Sequence, residues 1–447
     1  MDYSSILHIP DLSILQRLVR APTTEEWERF KKYTGRVVEL YVGKGYSGEV
    51  SSETFAFLGM QSTVDPLWPR LTSLRLTNRP GWDIVASTLA FLSPKIKTLA
   101  LTLPRDPGIL LQPILSIASD KCRRVQELTL DVVADDSYSA HKVGGLISAC
   151  RDTLRSLEIN SPFKAEYIPI IANMPQLRSL HLERVHFSCD IPSGAFPALE
   201  EFTFPHFQGR RLQHFLTRLG TTNLKVAKIQ SIDAISFKKS MVALSKFSAS
   251  LVHLEIAAVT GLDPLSVPAS RLPFANLRNV QLRCFRWGQN FHDSCPFRPS
   301  DEAVAELGEA MPNLNHLALG SPTCPNLQCT TFLSLVSLSK TCKDLETLEI
   351  KVDFQTMIAP NILGSKNVRP GTTSGGTRGK VCKLHKLSVG SSTLPEYPES
   401  AWMVAIGLGK IFPSLTEVEG YGFERSKWEQ VSGNVRMFRQ VFRNLEC

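Results

Sequence analysis

The sequence predicts an α/β solenoid, a parallel sheet of short strands, each followed by a turn and a helix, about fourteen irregular repeats long. Three observations predict it. A hexapeptide with aliphatic residues at its first, fourth and sixth places returns along the chain. A fixed preface stands before several of its copies, and amphipathic helical patterns fill the intervals.

The hexapeptide is plainest in LRSLEI at 154 and LRSLHL at 177. VVELYV at 37, LTSLRL at 71, IKTLAL at 96, VQELTL at 125, LVHLEI at 251, LRNVQL at 277, LNHLAL at 314, LETLEI at 345 and LHKLSV at 384 share it. LEEFTF at 199 carries it with Phe, LKVAKI at 224 has Ala227 in the middle, and LTEVEG at 415 ends on Gly420. The mean step is about 29 residues. Chance alone produces several such hexapeptides in a chain this long, so the preface decides the register. Trp68-Pro69-x-Leu71, Met174-Pro175-x-Leu177, Phe196-Pro197-x-Leu199, Met311-Pro312-x-Leu314 and Phe412-Pro413-x-Leu415 each lead directly into a hexapeptide. Composition predicts fewer than about one such tetrapeptide in the chain.

The physics of the preface is simple. Proline lacks an N–H and clashes with a preceding helical turn, so it ends the helix there. The large apolar residue before it fills the gap between helix and strand. The hexapeptide then alternates in and out, as a short strand with one buried face does. Between strands, apolar residues recur at three and four over 82–92, 108–118, 141–150, 165–174, 210–219, 236–247, 300–311 and 330–342, which predicts helices. Pro113 and Pro169 fall inside two of them, so those two are expected to be kinked or short. Ser300 and Asp301 are N-cap candidates for the helix at 300–311.

Strand, turn and helix in this order resemble a leucine-rich-repeat solenoid of the ribonuclease-inhibitor-like class over about residues 37–420. The resemblance implies a horseshoe, with a curved parallel sheet on the concave side and helices on the convex side. Such repeats usually carry Asn or Cys three residues after the last aliphatic, to bond the turn. Here that place holds Arg79, Pro104, Val133 and Pro162, among others, so irregular turns and uneven curvature are expected. Long loops are expected at 283–300 and at 351–383, the second rich in Gly, Ser and Thr. No domain boundary is evident within 37–420.

An open parallel sheet must be covered at its ends. Residues 1–36 are expected to form an N-terminal capping segment, with Thr23-Thr24-Glu25-Glu26 as a capping box and Trp27, Phe30 and Tyr33 close to one helix face. Residues 421–447 are expected to form a C-terminal capping helix, through Trp428, Val431, Val435, Phe438, Val441 and Phe442 at helical spacing.

The motifs of chemistry are absent. Gly371 to Lys380 lacks the spacing of a phosphate loop. Cys284, His292 and Cys295 do not match a zinc spacing. There is neither a Gly-x-Ser-x-Gly elbow nor a His-Glu-x-x-His helix. The net charge of +8 is spread without a run of five Lys or Arg, which argues against a nucleic-acid-binding tail. No 18-residue apolar stretch and no secretory signal pattern occur, so a cytoplasmic or nuclear monomer with reduced thiols is expected. No cofactor, no metal and no catalytic residue are expected; the chain reads as a non-enzyme.

What remains is surface. The third and fifth residues of each hexapeptide face away from the core and toward the concave side. The candidate protein-binding residues are Arg75, Glu158, Arg178, His181, Lys228, Glu255, Gln281, His316 and Glu349. Their mixed signs and wide spread suit a protein partner held by many contacts.

The stretch APTTEEWERFKKYTGRVVELYV resembles the junction of fungal, basidiomycete-type F-box/leucine-rich-repeat proteins, in which a Trp-x-x-Phe-x-x-Tyr helix leads into the first strand. Trp27, Phe30 and Tyr33 match that spacing, and Val37, Val38 and Leu40 follow. The resemblance implies a substrate receptor of a cullin-RING ubiquitin ligase, with the repeats holding the substrate and an F-box docking on the ligase adaptor. Ile9-Pro10-Asp11 and Ile14-Leu15 are similar to the opening of an F-box, but the stretch before Trp27 is too short for a whole one. The expectation is an F-box truncated from the sequence or lost by this member; the alternative is a stand-alone or inhibitor-like binding protein without a ligase link.

Overall fold

In a computed structural model, the described residues are 23–42, 57, 68–76, 85, 91–102, 111–131, 137–163, 165–185, 191–204, 209–260, 277, 280–287, 299–320, 330–355, 380–397 and 399–446. The chain divides into two compact units, Met1–Phe204 with Arg218–Thr221, and Pro205–Thr217 with Thr222–Cys447. In the first, strands β1 (Glu39–Val42), β2 (Ser73–Leu76), β3 (Thr98–Thr102), β4 (Glu127–Asp131), β5 (Ser156–Phe163), β6 (Ser179–Val185) and β7 (Glu201–Phe204) pair in chain order, all parallel. In the second, β8 (Val226–Asp233), β9 (His253–Thr260), β10 (Cys284–Trp287), β11 (His316–Leu319), β13 (Thr347–Ile350), β15 (Lys386–Gly390) and β16 (Glu417–Gly420) do the same. Two short strands, β12 (Thr330–Thr331) and β14 (Val352–Asp353), make a separate pair that the sequence pattern does not reveal.

The helices α1 (Thr24–Thr34), α2 (Leu111–Lys121), α3 (Ser137–Ala149), α4 (Ile168–Ala172), α5 (Gly209–Arg218), α6 (Ala234–Leu244), α7 (Asp301–Ala310), α8 (Phe332–Thr341), α9 (Ser400–Ile411) and α10 (Arg425–Glu446) alternate with these strands. This is the α/β leucine-rich-repeat architecture that the hexapeptide predicts. Helix α9 is an addition, since its pattern is apolar nearly all round and hides its period. The helix expected at 82–92 and the loops 288–298 and 356–379 lie mostly or wholly outside the described residues. Pro113 and Pro169 both sit in the first turn of their helices, where a missing N–H costs nothing, and α4 is only five residues long.

The preface is a turn. Leu71 N–H donates to Trp68 C=O at 3.1 Å, Leu199 to Phe196 at 3.3 Å and Leu415 to Phe412 at 3.0 Å, with proline at the second turn place. Trp68, Met174, Phe196, Met311 and Phe412 are buried, as gap-filling residues must be. Cys122 and Cys342 stand at the same place without a following proline, and Val125 and Leu345 close the same turn onto them.

One strand is displaced from its predicted place. LRNVQL at 277 is not the strand; β10 begins at Cys284. The true hexapeptide is Leu282 to Trp287, in which Phe285 replaces the central aliphatic and is fully buried. Gln281 therefore falls before the strand, exposed, accepting a hydrogen bond from Asn313 Nδ2 at 3.1 Å. Cys284 to Trp287, expected to open a long loop, are strand residues instead.

Ahead of the strands, side-chain donors reach carbonyls one repeat away. Cys150 Sγ donates to Cys122 C=O at 3.3 Å, and Cys382 Sγ to Cys342 C=O at 3.3 Å. Thr153 Oγ1 donates to Val125 C=O at 2.8 Å, Ser250 Oγ to Thr222 C=O at 3.1 Å and Lys246 Nζ to Leu216 C=O at 3.0 Å.

Both caps form. Thr23 and Glu26 make the reciprocal capping box of α1. Trp27 stacks on Phe30 at 5.4 Å, and Phe30 meets the edge of Trp68 at 6.2 Å, which in turn meets Phe91 at 5.7 Å. Tyr33 does not join them and is 69 % exposed. In α10, Trp428, Val431 and Val435 are buried, while Phe438 packs on Trp402 at 4.6 Å and Val441 is exposed. Trp428 Nε1 donates to Ser392 C=O at 3.0 Å, and its ring occupies the space over Gly420 that a side chain would fill. The glycine that spoils the hexapeptide at 415–420 is thus required by the cap.

Two outcomes follow. Gly420→Ala forces the indole aside and is expected to lower stability by about 1–3 kcal/mol, read as a shifted urea midpoint with altered tryptophan fluorescence. Burial pushes the thiols of Cys122, Cys150 and Cys342 up to about 12, 11 and 11, and raises that of Cys382. Among the five described thiols, pulse alkylation at pH 8 with mass spectrometry is expected to label the half-buried Cys284 before the other four, which are labelled only with global unfolding.

Candidate functional site

The pleat sends the third and fifth residues of every hexapeptide to the face opposite the leucines. Parallel register then lines them into two rows per unit. In the first unit the third-place row runs Glu39, Ser73, Thr98, Glu127, Ser156, Ser179, Glu201, and the fifth-place row Tyr41, Arg75, Ala100, Thr129, Glu158, His181, Thr203. Small hydroxyls serve the carboxylates here. Thr98 Oγ1 donates to Glu127 at 3.2 Å, and Thr129 Oγ1 to Glu158 at 3.2 Å. Arg75 lies over the Tyr41 ring, 5.6 Å from its centre. His181 is half-buried between Glu158 and Thr203 in its row. Arg178, at a second place, is outside both rows and pairs with Glu200 at 3.4 Å.

In the second unit the rows are Val226, His253, Cys284, His316, Thr347, Lys386, Glu417 and Lys228, Glu255, Arg286, Ala318, Glu349, Ser388, Glu419. Lys228, Glu255, His316 and Glu349 are where the sequence places them; Arg286 takes the place assigned to Gln281. The structure adds His253, Cys284, Arg286, Thr347 and Lys386. Reading LRCFRW as a hexapeptide with aromatic fillers is the signal that finds Cys284 and Arg286.

These side chains form a polar cluster. His253 Nε2 lies 3.7 Å from Glu255 Oε2. The Cys284 thiol first, and then Glu255, hold the His253 imidazole up at about 9 against the opposing effect of burial. His253 in turn holds the Glu255 carboxyl below its ordinary range. Arg286 Nε donates to His316 Nε2 at 3.2 Å, and His316 Nδ1 contacts Thr347 Oγ1. An arginine can only donate, so Nε2 is the bare nitrogen and the ring proton sits on Nδ1, directed to Thr347. His316 Nε2 is also 3.8 Å from Glu349 Oε1. Burial first, and then the Arg286 charge, lower the His316 imidazole below 6.5. Ala318, between Arg286 and Glu349 in its row, is fully buried although it stands on the strand face. Farther on, Lys386 Nζ pairs with Glu419 at 2.7 Å and Glu417 at 3.6 Å.

Among the described residues, no group of three or more His, Cys, Asp or Glu is placed to hold a metal ion. No described helix is long and apolar enough to cross a membrane. The arrangement offers fixed donors, acceptors and charges on a rigid sheet.

The fold and this face define a leucine-rich-repeat chain with a polar strand surface. No family model matches the sequence, and no curated protein matches it. Among solved structures, the chain is similar to one in the Rad7 and Elc1 complex of yeast, at 14% identity and a TM-score of 0.37, over 90% of this chain and 89% of that one. It is also similar to the leucine-rich repeat-containing protein LegL7 of Legionella pneumophila, at 13% identity and a TM-score of 0.33, over 90% and 98%.

The raised His253 has a consequence for stability. Its contribution is complete below pH 6.5, the ordinary value, and is lost as pH rises through about 9. Urea midpoints of the wild type are expected to fall between pH 6.5 and 9, and His253→Gln to flatten that slope.

Proposed function

We propose that this chain is a non-catalytic binding protein that holds a protein partner on the strand face of its second unit. The observation that carries the reading is the pair His253–Glu255 standing on the strand next to the set Arg286–His316–Glu349. Five polar side chains from four strands are held in place on a parallel sheet. Such preorganised charges favour a partner of complementary charge and reject others by unpaired charge. Lys228 extends the same face, and Arg75, Glu158 and His181 give the first unit a face of its own. Arg178 and Gln281 are exposed beside these faces and belong to their rim.

A stand-alone binding role accounts for these features without further parts. The finer reading, the substrate receptor of a cullin-RING ligase acting in cytoplasm or nucleus, stays with the sequence resemblance at Trp27, Phe30 and Tyr33. The F-box-like opening lies outside the described residues.

The test is charge reversal. Arg286→Glu with Glu349→Lys is expected to weaken capture of a crosslinked partner from native cells about tenfold or more at a temperature where circular dichroism shows wild type and variant both folded. Undiminished capture by that variant would remove the proposal. Cullin-ligase components among the captured proteins would favour the receptor reading.

A further inference from the structure

We infer that His316 is a proton-operated switch of this face: when neutral it ties down the Arg286 guanidinium, and when protonated it releases that guanidinium and itself pairs with Glu349. The inference rests on the reading of the second-unit strand face as a binding surface and names its regulation.

The geometry carries it. Nε2 of His316 has one lone pair, and Arg286 Nε occupies it at 3.2 Å. A proton arriving there meets a donor and a fixed charge, so the bond breaks and becomes a repulsion. The opposite neighbour is suited to the new state. Glu349 Oε1, 3.8 Å from the same nitrogen, becomes the acceptor of a charge-assisted hydrogen bond. Nδ1 keeps its proton and its Thr347 contact in both states. The charged and titratable groups around the ring are Cys284 and Arg286 from β10, Glu349 from β13, and His253 with Glu255 from β9. Glu255, the row neighbour of Arg286, already faces His253 through Oε2, so the released guanidinium at most shares that carboxylate with the imidazole. Burial and the Arg286 charge set the transition below pH 6.5. Below it the face carries one more positive charge and a freed guanidinium, and so holds a carboxylate of the partner more tightly.

The test needs no partner. Ring-nitrogen NMR of the full chain labelled in histidine, with His316→Gln for assignment, is expected to show the Nδ1–H tautomer at pH 7.5 and a midpoint below 6.5. Arg286→Gln is expected to raise that midpoint, and Glu349→Gln to lower it, each by about half a unit or more. If Arg286→Gln fails to fold, Arg286→Ala in a Glu255→Gln background supplies the same comparison. An Nε2–H tautomer, or a midpoint indifferent to both substitutions, would overturn the switch. Such a result leaves the binding proposal intact, whereas unimpaired capture in the charge-reversal experiment would remove the binding role and leave the titration as measured.

Discussion

One backbone carbonyl per repeat governs the rest. Within each unit, the C=O at the second place of a hexapeptide accepts two N–H groups from the next hexapeptide of that unit. Gln126 C=O takes Arg155 and Ser156 at 2.7 and 2.9 Å, and Arg155 C=O takes Arg178 and Ser179 at 2.8 and 3.0 Å. The same fork recurs in the second unit at Val252, Arg283, Asn315, Glu346 and His385. Each fork sets where the next strand starts, and so fixes which residues point inward. A slip of one residue would turn the leucines out and the charged rows in. The polar cluster is therefore a product of backbone register as much as of side-chain choice.

The forks also show why the repeat was legible and where it was not. Three buried aliphatics at fixed places are a constraint each repeat meets alone, so the sequence displays them. The displaced strand at Cys284 shows the limit: Phe285 fills the core as well as leucine does, and an aliphatic rule misses it. Arg283 in the fork identifies the true second place. The side-chain bonds that reach a carbonyl one repeat back are equally hidden: Cys150, Thr153, Ser250 and Cys382 make them, and their spacing in sequence follows no single rule.

The candidate site was half legible for a related reason. Lys228, Glu255, His316 and Glu349 could be placed on the outward face from pattern alone. That Arg286 bonds His316 and that His253 faces Glu255 depends on which strands adjoin and on rotamers, information carried by residues some thirty positions apart. The two histidines of the third-place row flank one thiol and yet are held in opposite protonation preferences. His253 has thiol and carboxylate partners that outweigh its burial, while burial first and then the Arg286 guanidinium act against the charged form of His316. Residue type identifies a titrating group; only its neighbours set the direction.

At the far side of β16, Trp428 lies over Gly420, and α10 packs along that last strand. Every other strand of the second unit passes its fork and its apolar edge to a successor. Here an aromatic ring stands in the groove that an incoming leucine would need, and a bare Cα leaves room for it. The edge of β16 is thereby taken by an aromatic ring and a helix instead of by the leucines of another strand.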